Sequence, residues 1–126
     1  MSDLDLLAAI DRGDVKAAQA ALETGAKPSA RSAAGDPAIV LAAAAGEAAL
    51  VELLLDRGAG VNDASEAGNT ALMQAAARGH SSVVSLLLAR GADGAMVNRW
   101  GLGAADWARW ADDAPDLLAE IQANRS

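Results

Sequence analysis

The sequence predicts an all-α solenoid, a stack of helix–turn–helix units joined by projecting loops. Three observations carry that prediction. The same residues recur every 33 positions: Gly13, Gly46 and Gly79 form one ladder, Gly25, Gly58 and Gly91 a second, and Ala9, Ala42, Ala75 and Ala108 a third. A fixed period of this length means one supersecondary unit copied along the chain, each copy burying its apolar face against its neighbour. The chain is 52% hydrophobic with no Phe or Tyr, and Ala is its commonest residue. Its core therefore comes from close helix packing, and Ala is the strongest helix former. Finally, apolar runs at helical spacing stop at a Gly, which closes a helix by taking the left-handed conformation.

The elements follow in order, in one domain with copies over 2–31, 32–64, 65–97 and 98–126. The first copy opens on Ser2-Asp3-Leu4-Asp5, the spacing of a capping box, and its second helix is expected over 14–24. In the second copy, helices are expected over 39–45 and 48–57, with Gly46 and Gly58 as their stops. In the third, Gly68-Asn69-Thr70 is turn chemistry before a helix over 71–78, and Gly79 breaks it. His80 and Ser81 start the next helix, whose wide apolar face is Val83, Val84, Leu86, Leu87 and Leu88. Arg90 suits that helix's C-terminus, where the helix dipole is negative. The last copy puts Asp112 where the others have the inter-helix Gly, and Pro115 fits the first turn of a final helix over 115–123.

Charge and composition exclude several classes of function. A net charge of −7 leaves no basic face for nucleic acid. It suits a basic protein partner, because opposite fields speed encounter, and it serves solubility equally well. Without Cys there are neither disulfides nor thiolate metal sites. The acidic start lacks the basic stretch of a secretory signal, and no apolar run approaches the roughly 18 residues that span a bilayer. A soluble, cytoplasmic protein is expected. The scarcity of Lys beside Arg, with much Ala and Gly, points to a bacterial, GC-rich source.

Several segments carry a family resemblance. Gly68-Asn69-Thr70-Ala71-Leu72 resembles the G-x-T-P-L start of ankyrin repeats, and Ala75-Ala76-Ala77-Arg78-Gly79-His80 resembles their A-A-x-x-G-H segment. Val83 through Asp93 is similar to their V-V-x-x-L-L-x-x-G-A-D end, and Gly58-Ala59-Gly60-Val61-Asn62 to G-A-D-V-N. The unit length matches that family. One departure stands out. The family's threonine–proline–leucine–histidine tetrapeptide appears here as Pro37-Ala38-Ile39-Val40, Thr70-Ala71-Leu72-Met73 and Gly103-Ala104-Ala105-Asp106. Its Thr and His hydrogen-bond neighbouring units together in the family, so the resemblance implies weaker ties here and an unchanged topology.

The resemblance also implies where a partner sits, in a concave groove lined by loop tips and first helices. Carried over by register, the groove positions include Asp11, Arg12, Arg31, Asp36, Glu66, Asn69, Arg78, Arg99, Trp100, Leu102 and Trp110. The second copy is mostly Ala there, whereas the fourth holds all three aromatic residues of the chain. Trp and Arg are the commonest interface hot spots. Trp100 and Trp110 are thus the expected anchors, with Arg78 and Arg99 orienting a partner and Asp36, Glu66, Asn69 and Leu102 adding contacts. The competing reading is a Trp cluster that seals the end of the stack, and Trp107 is assigned to that role. Arg78 and Arg99 read equally well as a solvated face.

Catalytic chemistry is missing. His80 is the only histidine, and the resemblance gives it a structural place at a helix start. Asp112, Asp113 and Asp116 suit a helix N-terminus. The glycines are helix stops, with no phosphate-binding loop among them. No enzyme, cofactor or metal is expected. The leading expectation is a monomeric protein–protein interaction module. The alternatives are an inhibitor or immunity protein that blocks an enzyme or a basic toxin, and a homo-oligomer that buries the Trp cluster.

Overall fold

The computed structural model describes residues 2–108 and 121. Within them the order is α1 (Ser2–Arg12), α2 (Val15–Glu23), α3 (Ala38–Ala44), α4 (Ala48–Asp56), α5 (Ala71–Ala77), α6 (Ser81–Ala89) and α7 (Ala104–Ala108). Helices α1, α3, α5 and α7 pack side by side in one layer, and α2, α4 and α6 lie behind them in another. The first-layer helices pack more closely on one another than the second-layer helices do. The expected helices at 14–24, 39–45, 48–57 and 71–78 agree with these bounds to within a residue. The expected final helix over 115–123 and the junction at Asp112 lie outside the described residues, apart from Ile121, which is fully buried.

Six helix ends close in the same way. At α2, Gly25 N–H donates to the Leu22 carbonyl and Ala26 N–H to the Ala21 carbonyl, the paired bonds of a Schellman motif. The same pair recurs one and two repeats later at Gly58–Ala59 and Gly91–Ala92, and at the first-helix ends at Gly13, Gly46 and Gly79. All six glycines have positive φ, which accounts for two of the sequence ladders. The inter-helix glycines have a second use. A Cβ at Gly46 would stand 2.9 Å from the His80 ring, and one at Gly13 would stand 3.0 Å from the Glu47 carboxylate. Gly13 and Gly46 therefore each receive a side chain from the next helix pair, and His80 uses that approach to hydrogen-bond the Ala44 carbonyl through Nε2 at 3.1 Å.

The first-layer helices begin in three different ways. Pro37 precedes α3 and has no N–H to satisfy. Thr70 Oγ1 accepts the Met73 N–H at 3.3 Å, while the Thr70 N–H donates back to the Met73 sulfur at 3.5 Å. A thioether thus fills the reciprocal half of a capping box. At α7 the Gly103 N–H donates to Asp106 Oδ2 at 2.8 Å. The expected capping box at Ser2 rests on a side chain outside the described residues. Within α1, Asp3 Oδ1 accepts the N–H of Lys27, tying the helix to the loop after α2 at 2.8 Å.

The core runs along the seam between the layers. Leu6, Ile39 and Leu72 hold one position in successive pairs, and Ala9, Ala42, Ala75 and Ala108 are wholly buried where helices pack most closely. Ala18 and Ala21 stand where later pairs have Val51 and Val84, and Leu54 and Leu87. The first pair thus forgoes roughly 0.8 kcal/mol for each missing buried methylene-sized group. On the second-layer face, Arg90 pairs with Asp56 at 2.8 Å and Arg57 with Glu23 at 4.0 Å, each reaching the preceding pair. Such exposed pairs contribute about 0–1 kcal/mol. Arg90→Gln is accordingly expected to lower the unfolding free energy by less than about 1 kcal/mol in urea titration.

Candidate functional site

Three hairpin loops stand between the helix pairs, and their backbones repeat. Arg31 bridges to Pro37, Ala64 to Thr70, and Val97 to Gly103 as isolated antiparallel β-bridges. Each tip turns on a glycine of positive φ: Gly35, Gly68 and Gly101. A side-chain oxygen closes each tip. Ser32 Oγ accepts from Asp36 N–H and Ser65 Oγ from Asn69 N–H, both at 3.2 Å. In the third hairpin the equivalent residue is Asn98, 5% exposed, whose Oδ1 accepts from both Trp100 N–H (2.9 Å) and Leu102 N–H (3.1 Å).

The hairpins are also tied to one another. Arg31 donates to the Gly35 carbonyl of its own loop at 2.8 Å and to the Ala64 carbonyl of the next at 2.9 Å. Asn98 Nδ2 donates to Asn69 Oδ1 at 2.9 Å, and Arg99 N–H to the Ala67 carbonyl at 2.8 Å. The row of tips is therefore a hydrogen-bonded array, which lowers the ordering cost of binding against it.

On this array Trp100 is 64% exposed and Val97 56% exposed. The Arg99 guanidinium lies 5.3 Å from the centroid of the Trp100 ring, a cation–π contact that holds the two side chains together. Leu102 is half-buried in the same hairpin, and Asp36 is half-buried in the first. Glu66 folds over Gly35, where an added Cβ would stand 3.1 Å from its Oε1. Asn69 is half-buried with its oxygen engaged by Asn98. Arg78 is exposed at the far end of α5, about 12 Å of helix from the hairpins at 1.5 Å per residue, so it is not brought against Trp100. Arg31, exposed in the first hairpin, is committed to two carbonyls. Trp110, with its neighbours Arg109, Asp112, Asp113 and Asp116, lies outside the described residues.

Two shallow depressions mark the floor formed by the first-layer helices. One, of about 60 Å3, lies between α5 and α7 and is lined by Asn69, Met73, Gln74, Ala77 and Trp107. The other, of about 120 Å3, lies between α1 and α3 and is lined by Leu7, Ile10, Asp11, Leu41 and Ala45. Among the described residues, no group of three His, Asp or Glu side chains is placed to hold a metal ion, and no helix is long and apolar enough to cross a membrane.

A family model for ankyrin repeats matches residues 6–98 with three copies. The chain belongs to the ankyrin repeat family. Ankyrin repeats are in general protein–protein interaction modules, a non-enzymatic family. Compared with individual curated proteins, the chain finds no match.

Sequence reasoning left six residues that line these depressions out of the site, Leu7, Ile10, Leu41, Met73, Gln74 and Trp107; of these, Leu41, Gln74 and Trp107 hold one register on the floor of α3, α5 and α7. Trp107, assigned to sealing the stack, does pack against the core, and it also lines the α5/α7 depression. The 33-residue register itself was the available signal, because it carries Leu41 to Gln74 and Gln74 to Trp107.

Proposed function

We propose that this chain is a single four-copy domain that binds a partner protein through the hairpin tips and first-helix floor, with Trp100 as the principal anchor. The observation that carries the reading is a large aromatic side chain, 64% exposed, on a hairpin whose backbone is already fixed by hydrogen bonds. An exposed, pre-ordered Trp suits a hot spot, since little freedom is left to lose on binding. Arg99, stacked on Trp100, and Leu102 extend this anchor. Asp36, Glu66 and Asn69 form the polar flank along the other hairpins, and Arg78 contacts a part of the partner farther down the floor. Trp110 is assigned by register to the same surface. The working form is a cytoplasmic, bacterial monomer whose footprint is about 800 Å2 if the interface is of standard size.

Affinity capture from native lysate tests this, with wild type beside Trp100→Ala and Trp100→Ala/Trp110→Ala. The expected result is one protein held by wild type and lost by the folded double variant, with Trp100→Ala alone weakening binding by about 2 kcal/mol. Equal capture by all three forms would reject the surface.

The net charge of −7 supports a second reading, an inhibitor that blocks a basic enzyme or toxin. Association with such a partner slows steeply as salt rises. Salt-insensitive association of the captured protein rejects it.

A further inference from the structure

We infer that Asp93-Gly94 is a site of spontaneous covalent modification. The Asp93 side chain closes a five-membered succinimide ring on the Gly94 nitrogen. Water then reopens the ring so that the chain runs through that side chain, an isoaspartyl link. The site lies in the connection from α6 to the third hairpin, and it stands apart from the proposed binding face.

The reaction needs a carboxyl group followed directly by an unhindered N–H. The sequence holds one Asp-Gly pair and no Asn-Gly pair. At the same register positions, the loops after α2 and α4 carry Lys27-Pro28 and Gly60-Val61. Neither Lys27 nor Gly60 has a carboxyl side chain, and Pro28 has no N–H. The third copy joins both groups, and Gly94, lacking a Cβ, leaves its nitrogen open to attack.

The fold poises the pair. Asp93 N–H donates to Asn62 Oδ1 at 2.9 Å, which anchors the residue to the preceding loop. Ala95 N–H donates to Asp93 Oδ1 at 2.8 Å, and Met96 N–H donates to the Asp93 carbonyl at 3.5 Å. The Asp93 side chain is thus turned forward along the chain, beside the peptide unit it attacks, and such pre-positioning lowers the barrier to ring closure. The amides of residues 93, 95 and 96 are engaged, whereas nothing among the described residues accepts the Gly94 N–H. Pro28 at the equivalent place shows that the repeat requires no bond from this position. No hydrogen bond therefore has to break before the nitrogen attacks. Ala95 N–H also holds the charge that develops on Oδ1 as Cγ becomes tetrahedral, as an oxyanion-hole donor does. Gly94 is buried, but Asp93 and Ala95 on either side of it are exposed, so water reaches the ring.

In the first step the bond between Gly94 N and Asp93 Cγ forms and the bond between Cγ and Oδ2 breaks. Oδ2 leaves as water, taking the carboxyl proton and the proton of the Gly94 N–H. In the second step water adds to the Asp93 main-chain carbonyl carbon, the bond from that carbon to Gly94 N breaks, and the nitrogen regains a proton. Water leaves and water returns, so the mass is unchanged. The chain gains one backbone atom. Ala92, bonded to the Leu87 carbonyl at 2.9 Å, and Val97, bridged to Gly103, are fixed on either side, so the slack falls on residues 94–96.

The test ages the full folded chain in neutral buffer at physiological temperature, beside the acetylated and amidated peptide of residues 90–97. Peptide mapping reads isoaspartate at each Asp, and an isoaspartyl-specific carboxyl methyltransferase with a labelled methyl donor gives a second readout. The expected result is isoaspartate at residue 93, formed in the folded chain at least as fast as in the peptide. Asp93→Glu, whose ring would be six-membered, is expected to stop the reaction, and Gly94→Ala to slow it. Ala95→Pro removes the donor to Oδ1 and is expected to slow it roughly fivefold, the worth of one net hydrogen bond. Circular dichroism confirms that each variant is folded. A rate in the folded chain more than about tenfold below that of the peptide overturns the inference, because the fold would then shield the site instead of poising it. A folded Ala95→Pro variant that ages at the wild-type rate overturns the role given to the Ala95 N–H.

Discussion

Gly68→Ala is expected to destabilise the fold by about 2–5 kcal/mol, although it adds a single methyl group. Two separate costs combine. Gly68 has φ +88°, a left-handed conformation that costs an L-residue roughly 1–2 kcal/mol. Its new Cβ would also stand 3.0 Å from Asn98 Cα and 3.4 Å from Arg99 N. Those are backbone atoms of the next hairpin, so no rotamer change relieves the contact, and overpacking of this kind costs about 1–3 kcal/mol. Gly58→Ala separates the two terms. Its φ is +101°, and nothing lies within 4 Å of an added Cβ. It is expected to lose only the conformational term, about 1–2 kcal/mol. Urea unfolding followed by far-UV circular dichroism measures both variants. Equal losses would mean that the second and third hairpins are not pressed together as described. With a total stability on the order of 5–15 kcal/mol for a domain, the Gly68 loss is large enough to lower the folded population at physiological temperature.

That contrast shows what the sequence made legible. A ladder of identical residues reports a backbone requirement, because a helix end of positive φ calls for Gly; the closures at Gly13, Gly25 and their repeats were readable from spacing. The hairpin ladder of Gly35, Gly68 and Gly101 keeps the same step, but the reason for Gly68 includes an atom of Asn98 thirty residues away in the chain. Sequence period cannot supply that distance. The ladder Ser32, Ser65 and Asn98 was hidden for another reason. Its identity changes while its chemistry, an oxygen accepting a tip N–H, stays the same. Met73 and Asp106 were hidden likewise, since a thioether and a carboxylate accept the N–H bond at a helix start where the sequence shows no standard capping pair. Trp107 was legible in part, since its packing against the core agrees with the structural role read from the sequence. Periodicity shows that it shares a helix face with core residues, but a half-buried ring has two sides, and only the packing of α7 on α5 shows which side remains open.

Asn98→Ala is expected to cost about 3 kcal/mol, and its effect falls on the third hairpin rather than on the helices. Asn98 is buried, and its one side chain makes three hydrogen bonds: it accepts from Trp100 and Leu102 N–H and donates to Asn69 Oδ1. Each such bond contributes about 1 kcal/mol net, and more where the abandoned partner stays out of water. The earlier hairpins supply the control. Ser stands at the equivalent positions and closes the tip with one bond to the N–H four residues on. Asn98→Ser is therefore expected to keep the Leu102 bond and lose less than Asn98→Ala. Asn98→Asp keeps two acceptor bonds but sets a carboxylate against Asn69 Oδ1, and it falls between the other two. Amide hydrogen exchange of Trp100 and Leu102 measures the order directly: protection is expected to fall from wild type through Ser and Asp to Ala, with the helix amides of α5 much less affected. Uniform loss of protection across α5 and the hairpin would instead make Asn98 a support of the global fold. The graded outcome connects folding to the proposed binding face, because the residue that fixes the Trp100 backbone is the same one that ties its hairpin to Asn69. If Trp100 acts as a pre-ordered anchor, partner affinity should fall in the same order as the exchange protection, even though Asn98 is buried beneath the surface that the partner touches.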